Sequence, residues 1–154
     1  DNGTVAYWDD VTYKPVEWNE AINSIDFGVA SPASVKAGIT LTNYSPAGVV
    51  CNLDSQTNPK YFILAVRQAG NGIGLFRCNN GTITQLINSS ATYSVGAQLE
   101  IRKTAADVYQ LWYNGAQIGA NQTVTDANLN NNTRHGIFNV GGGTSLGSFF
   151  VLAS

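Results

Sequence analysis

The segment Ala97 to Ala120, AQLEIRKTAADVYQLWYNGAQIGA, constrains the fold more than any other, because strand type, turn chemistry and facing can all be read from it. Residues Gln98 to Lys103 alternate, with Leu99 and Ile101 on one side and Gln98, Glu100 and Arg102 on the other, the period-two pattern of a half-buried strand. A turn over Thr104, Ala105 and Ala106 leads into a second strand. With Lys103 set opposite Asp107, Ile101 falls opposite Tyr109, Leu99 opposite Leu111, Glu100 opposite Gln110 and Gln98 opposite Trp112. Asn114-Gly115 then supplies the positive φ angles of a type I′ hairpin and sets Leu111 opposite Ile118 and Trp112 opposite Gln117. One side of this three-stranded ribbon is apolar. The other carries Gln98, Glu100, Arg102, Gln110, Gln117 and a solitary Trp112.

The rest of the chain repeats the theme. Runs at Thr4–Trp8, Ser24–Ala30, Ala37–Thr42, Ala47–Leu53, Tyr61–Gln68, Ile73–Asn79, Thr82–Asn88, Gln122–Thr125, Arg134–Val140 and Ser145–Leu152 are rich in β-branched and aromatic residues, separated by Gly, Asn and Pro breaks. Only Val16 to Ile22 has helical spacing, with Trp18 and Ile22 four residues apart, and predicts at most one short helix. The stretch Asp126 to Thr133 reads as the longest irregular loop. Turn signals every 8 to 12 residues predict an all-β, two-sheet antiparallel sandwich. With 154 residues and no internal linker, the whole chain is expected to form a single domain.

Composition removes several function classes. Charged residues make up 12% of the chain and the net charge is −2, which provides no basic field for a phosphate backbone, so nucleic acid is not an expected partner. The longest apolar run, Phe149 to Ala153, is far short of a membrane helix, so no membrane insertion is expected. The start at Asp1 and the lack of any Met suggest a processed product and an extracellular setting. Six N-x-S/T triplets, at Asn2, Asn43, Asn80, Asn88, Asn121 and Asn131, are glycosylation candidates in that setting. Cys51 and Cys78 fall on strands separated by an intervening one, roughly 9 to 10 Å apart, so they are expected to be free, buried thiols rather than a disulfide.

Catalytic motifs are missing. His135 is the only histidine, and Arg134 and Gly136 around it do not form a nucleophile elbow. The glutamates are Glu17, Glu20 and Glu100, and no strand carries two acids on one side, as glycoside hydrolysis would need. Gly70–Gly74 and Gly141–Thr144 are turns with no following helix to hold a phosphate. Asp9, Asp10, Asp54 and Asp126 lack the spacing of a calcium loop. No catalytic residue, metal site or cofactor is assigned, and a non-enzyme is expected.

The succession Ala47-Gly48-Val49-Val50, Tyr61-Phe62-Ile63-Leu64, Asn80-Gly81-Thr82, Leu99-Glu100-Ile101-Arg102, Leu111-Trp112-Tyr113-Asn114-Gly115 and Arg134-His135-Gly136-Ile137-Phe138 resembles the concanavalin A-like jelly roll of laminin-G-type domains, over about residues 37 to 154. That resemblance implies two antiparallel sheets, one of them concave, and a range of roles from glycan binding and adhesion to glucanase and lyase activity and surface modules of phage tails and capsids. The acid pair of the family's glucanases is absent, so catalysis does not carry over. Two non-catalytic readings follow. The face with Trp112, Gln110, Gln98, Glu100, Arg102 and Gln117 is a sugar site, where an aromatic plane meets pyranose faces and amides meet hydroxyls. Alternatively the same residues join neighbouring subunits, including copies of the same chain in a homo-oligomer, as a structural protein of a virion surface or another extracellular assembly.

Overall fold

A computed structural model describes residues 15–16, 20–26, 35–41, 46–68, 72–92, 94–140 and 146–153. Twelve strands and one short helix occur among them: β1 (Pro15–Val16), β2 (Glu20–Asp26), β3 (Val35–Leu41), β4 (Ala47–Leu53), β5 (Phe62–Arg67), β6 (Ile73–Asn79), β7 (Thr82–Ser89), β8 (Gln98–Ala105), β9 (Val108–Tyr113), β10 (Ala116–Thr123), α1 (Ala127–Asn130), β11 (Arg134–Val140) and β12 (Leu146–Ala153). They form two antiparallel sheets, one ordered β1-β2-β11-β4-β5-β6-β7 and the other β10-β9-β8-β3-β12. This is the expected sandwich.

Between the sheets lies an apolar layer in which Val49, Cys51, Ile63, Ala65, Ile73 and Leu75 meet Leu99, Ile101, Tyr109 and Leu111. The apolar side of the central ribbon therefore faces the core, as its alternation requires. A second cluster, Ile22, Val50, Leu53, Phe62, Leu64, Val66, Cys78 and Phe138, occupies the opposite face of the seven-stranded sheet. Every residue of β4 and β5 is buried, which accounts for their largely apolar runs AGVVCNL and FILAVR, in which only Asn52 and Arg67 are polar. Gly48 is fixed by this packing, because a Cβ there would run into the Ala65 carbonyl oxygen of the neighbouring strand. At the Asn-Gly hairpins, Asn80 and Asn114 take φ of 48° and 49°, and Gly81 and Gly115 take 81° and 83°, the left-handed pairs of a type I′ turn.

Two expectations need correction. The register of β8 against β9 is two residues away from the one expected: Lys103 pairs with Tyr109, Ile101 with Leu111, Leu99 with Tyr113, Glu100 with Trp112 and Arg102 with Gln110. The connection is tighter than a three-residue turn, since Ala105 already pairs with Val108 and the irregularity falls between Lys103 and Ala105. A shift of two preserves the facing of every side chain, so the two faces stand as expected. The β9–β10 register, Leu111 with Ile118 and Trp112 with Gln117, is as expected. Helix placement also differs. Glu20 to Ile22 belong to β2, and the one helix among the described residues lies in the expected loop, where the Asp126 side chain caps the Asn128 amide at 3.0 Å and Leu129 is buried beneath. The strand expected over Thr4–Trp8 lies outside the described residues. The thiols are free and buried, as expected: Cys51 pairs with Ile63, and Phe62 with Cys78. The two thiols thus sit on alternate strands and point into the two separate clusters.

Candidate functional site

The candidate site is built on the outer face of the five-stranded sheet. Strand alternation puts Gln98, Glu100 and Arg102 of β8, Gln110 and Trp112 of β9 and Gln117 of β10 on that face, and the observed register brings them into one patch. Cross-strand pairing sets Trp112 between Glu100 and Gln117, with Arg102 and Gln110 forming the next row. Arg102 Nε donates to Glu100 Oε2 at 2.9 Å, and the guanidinium lies 3.6 Å from the centroid of the Trp112 ring. Trp112 Nε1 donates to Gln110 Oε1 at 2.8 Å, and Gln110 Nε2 donates to Asn121 Oδ1 at 2.9 Å. Gln117 Nε2 reaches the same Asn121 oxygen at 3.0 Å. Five of the six expected residues are joined in this network. Gln98 shares their face but makes none of these bonds, and it is half-buried.

Two features of the patch were not legible beforehand. Glu100, expected on an open polar face, is 1% exposed, so its carboxylate depends on internal partners, Arg102 among them, in place of water. Asn121 entered the sequence reading only as a glycosylation candidate, yet it is the acceptor that ties β9 to β10. Its place follows from an irregularity between Ile118 and Gln122, with Gly119 at φ 68°, which simple alternation does not anticipate. On the other side of the patch, Phe150 and Leu152 of β12 alternate with the core-packed Phe149 and Val151, which puts them on the outer face. Leu152 is 54% exposed. Among the glycosylation candidates, Asn80, Asn88, Asn121 and Asn131 are exposed, while Asn2 and Asn43 lie outside the described residues.

A second polar constellation lies inside the sandwich. Cys51 Sγ is 3.2 Å from His135 Nδ1 and donates to Asn52 Oδ1 at 3.1 Å. Asn52, in the left-handed region at φ 55°, donates through Nδ2 to the Asn132 carbonyl at 2.6 Å, and its Oδ1 lies 3.3 Å from the Tyr109 hydroxyl, whose shorter bond goes to Asn130 Oδ1 at 2.7 Å. Lys103 Nζ donates to the Asn130 carbonyl at 2.7 Å. These residues anchor the α1 loop over the end of the sheet. Sequence reasoning missed the Cys51–His135 pair, since the two are far apart in the chain and only the β4–β11 pairing unites them. A thiol, an imidazole and an amide are the groups of a cysteine hydrolase, but here they are walled in. Burial pushes the Cys51 thiol up to about 12, with a smaller opposing pull from Lys103, so it is not a thiolate at neutral pH. Among the described residues, no group of three His, Cys, Asp or Glu side chains is arranged to hold a metal, and no helix is long and apolar enough to cross a membrane.

No family model matches the chain, and no curated protein is detectably related to it. Solved structures do match. A carbohydrate-binding module, CBM66 from Bacillus subtilis, is 11% identical, with 92% of this chain and 91% of that one covered and a TM-score of 0.61. The Caenorhabditis elegans galectin LEC-6 is 14% identical over 89% of this chain and 98% of its own, with a TM-score of 0.55. A toad ovary galectin, solved with thio-digalactose, is 10% identical over 84% and 96%, with a TM-score of 0.56. At such identities the likeness is one of fold, and it is the concanavalin A-like jelly roll.

Proposed function

We propose that this chain is a non-catalytic carbohydrate-binding module working outside the cell in adhesion or glycan capture, with its site on the outer face of the five-stranded sheet. The observation that carries the reading is the patch itself: an indole held by a guanidinium on one face and an amide at its nitrogen, ringed by Gln110, Gln117 and Asn121. Such a patch offers a rigid aromatic plane next to oriented amide and guanidinium donors, the combination that meets the apolar face and the hydroxyls of a sugar. The naming of the similar folds as a carbohydrate-binding module and as galectins supports the same class of ligand. Arg102 already occupies one side of the ring, so the sugar takes the other side or the indole edge.

The test is a glycan array probed with the wild type and with Trp112→Ala. Loss of the only tryptophan that the described residues put in the patch should weaken binding roughly tenfold or more, about 1.4 kcal/mol. Its cation-π contact is worth about 1 kcal/mol, which shifts the melting midpoint of a domain this size by only about 2 to 4 °C. A mutant that melts near the wild type and keeps full glycan binding would sink the assignment. A second reading, a structural subunit of a virion or another extracellular assembly, is favoured by one observation: Leu152 leaves an apolar side chain on edge strand β12 beside the same face. An obligate oligomer in sedimentation, with no glycan bound, supports that reading instead.

A further inference from the structure

Lys103 and Tyr109 pair across β8 and β9 with both side chains in the core, so the register carries a primary amine to a place water does not reach; Lys103 is 0% exposed. Among the described residues its Nζ has one hydrogen-bond acceptor, the Asn130 main-chain carbonyl, and no ion pair. An ammonium has three protons to place, and beyond that carbonyl its charge meets the Tyr109 ring, 5.7 Å from Nζ to the centroid, so two protons are left without an acceptor at a cost of order 1 to 3 kcal/mol. A secondary amide nitrogen has a single proton and no charge. The surroundings of Nζ fit the amide better than the ammonium.

The side chain of that same Asn130 is held at both ends. Its Oδ1 accepts the Tyr109 hydroxyl at 2.7 Å, and its Nδ2 donates to the Val124 carbonyl at 2.7 Å. A phenol on the amide oxygen draws electron density from Cγ and is already in place for the charge that develops on that oxygen under attack. We propose that Lys103 and Asn130 join through an intramolecular amide between Nζ and Cγ, with Tyr109 as the donor to the oxyanion. The lone pair of the neutral amine adds to Cγ, the Cγ–Nδ2 bond breaks, and the proton given up by Nζ goes to the departing nitrogen, which leaves as ammonia. Nothing is oxidised or reduced, and no other reactant enters. Nζ already lies at the main-chain oxygen of the same residue, and the bond requires it to move from there to the side-chain carbon. Burial favours the reacting forms of both groups, lowering Lys103 toward the free amine and raising Tyr109 so that the phenol keeps its proton. The bond would tie β8 to α1 and fasten the loop whose carbonyls hold Asn52.

The experiment is the intact mass of the full unfolded chain. The expected value is about 17 Da below that of the sequence, the mass of one ammonia, with a peptide map showing the Lys103 peptide joined to the Asn130 peptide. Succinimides at Asn71-Gly72, Asn80-Gly81 or Asn114-Gly115 produce the same deficit, but mild alkali hydrolyses them and the side-chain amide survives it. Lys103→Arg and Asn130→Ala should each restore the full mass, and Tyr109→Phe should leave a fraction unlinked. A wild-type chain of full mass overturns the proposal whether or not the variants fold. So does a deficit that vanishes in mild alkali or persists in Lys103→Arg.

Discussion

The buried thiol of Cys51 makes the sandwich sensitive to alkali in a way that can be worked out in sign and size. In the unfolded chain the thiol ionises near 9.0, and in the folded chain burial pushes it up to about 12. A group whose folded value is raised contributes stability that is complete below the unfolded value and is lost as pH climbs to the folded one. Between pH 9 and 12, then, each pH unit removes about 1.4 kcal/mol through this thiol. About 2 kcal/mol is gone by pH 10.5. Cys78 and Tyr109, both raised by burial, act in the same direction, while a free Lys103 amine, lowered by burial, acts in the opposite one. Cys51→Ala removes the thiol together with its smaller influence on Tyr109 and Lys103, whose main cause, burial, stays in both proteins. The assay is denaturant unfolding of wild type and variant at pH 8 and at pH 10.5, with the free energies extrapolated to water. The variant loses some packing at pH 8, but on going to pH 10.5 the wild type should lose about 2 kcal/mol more than the variant does. Equal losses would refute the assignment of a protonated thiol walled in beside His135, as would rapid reaction of Cys51 with a thiol reagent in the folded protein at neutral pH.

Other outcomes test the two faces of the five-stranded sheet. Leu111→Ala, at a fully buried position between the sheets, should cost about 2 to 5 kcal/mol in chemical unfolding, whereas Gln110→Ala on the outer face should cost less than about 1. Equal costs would mean that the faces are inverted. Arg102→Ala removes a partner from the buried Glu100 carboxylate and should destabilise by about 1 to 3 kcal/mol. Adding Glu100→Gln should recover part of that loss, and a double mutant no better than the single one would show that the ion pair is not what holds Glu100 in place.

Much of this architecture is local enough to be written in the sequence. Alternation in Gln98–Lys103 and Val108–Tyr113 dictates which side chains share a face, because successive residues of a strand point in opposite directions. Asn80-Gly81 and Asn114-Gly115 announce their hairpins because those residue types tolerate left-handed backbone angles. Facing, in turn, delivers the members of the outer patch even with the β8–β9 register wrong by two, since such a slip leaves every side chain on its own side. Their bonding was less accessible. Whether Glu100 sits in water or under its neighbours, and whether Trp112 stands bare or against a guanidinium, depends on which residue lies opposite and which diagonal.

The chain by itself thus determined an all-β sandwich, the apolar and polar sides of its central ribbon, and two thiols on alternate strands, all consequences of strand period and turn chemistry. Tertiary structure alone decided three things. It put β11 beside β4, which unites His135 with Cys51 across the chain. It turned Asp126–Asn131 from an expected loop into a capped helical turn, because Leu129 has a core to enter. And it brought Lys103, Tyr109 and Asn130 into one hydrogen-bonded cluster. Contacts between residues distant in sequence leave no periodic trace in the chain, and the burial that sets their chemistry exists only once the two sheets have met.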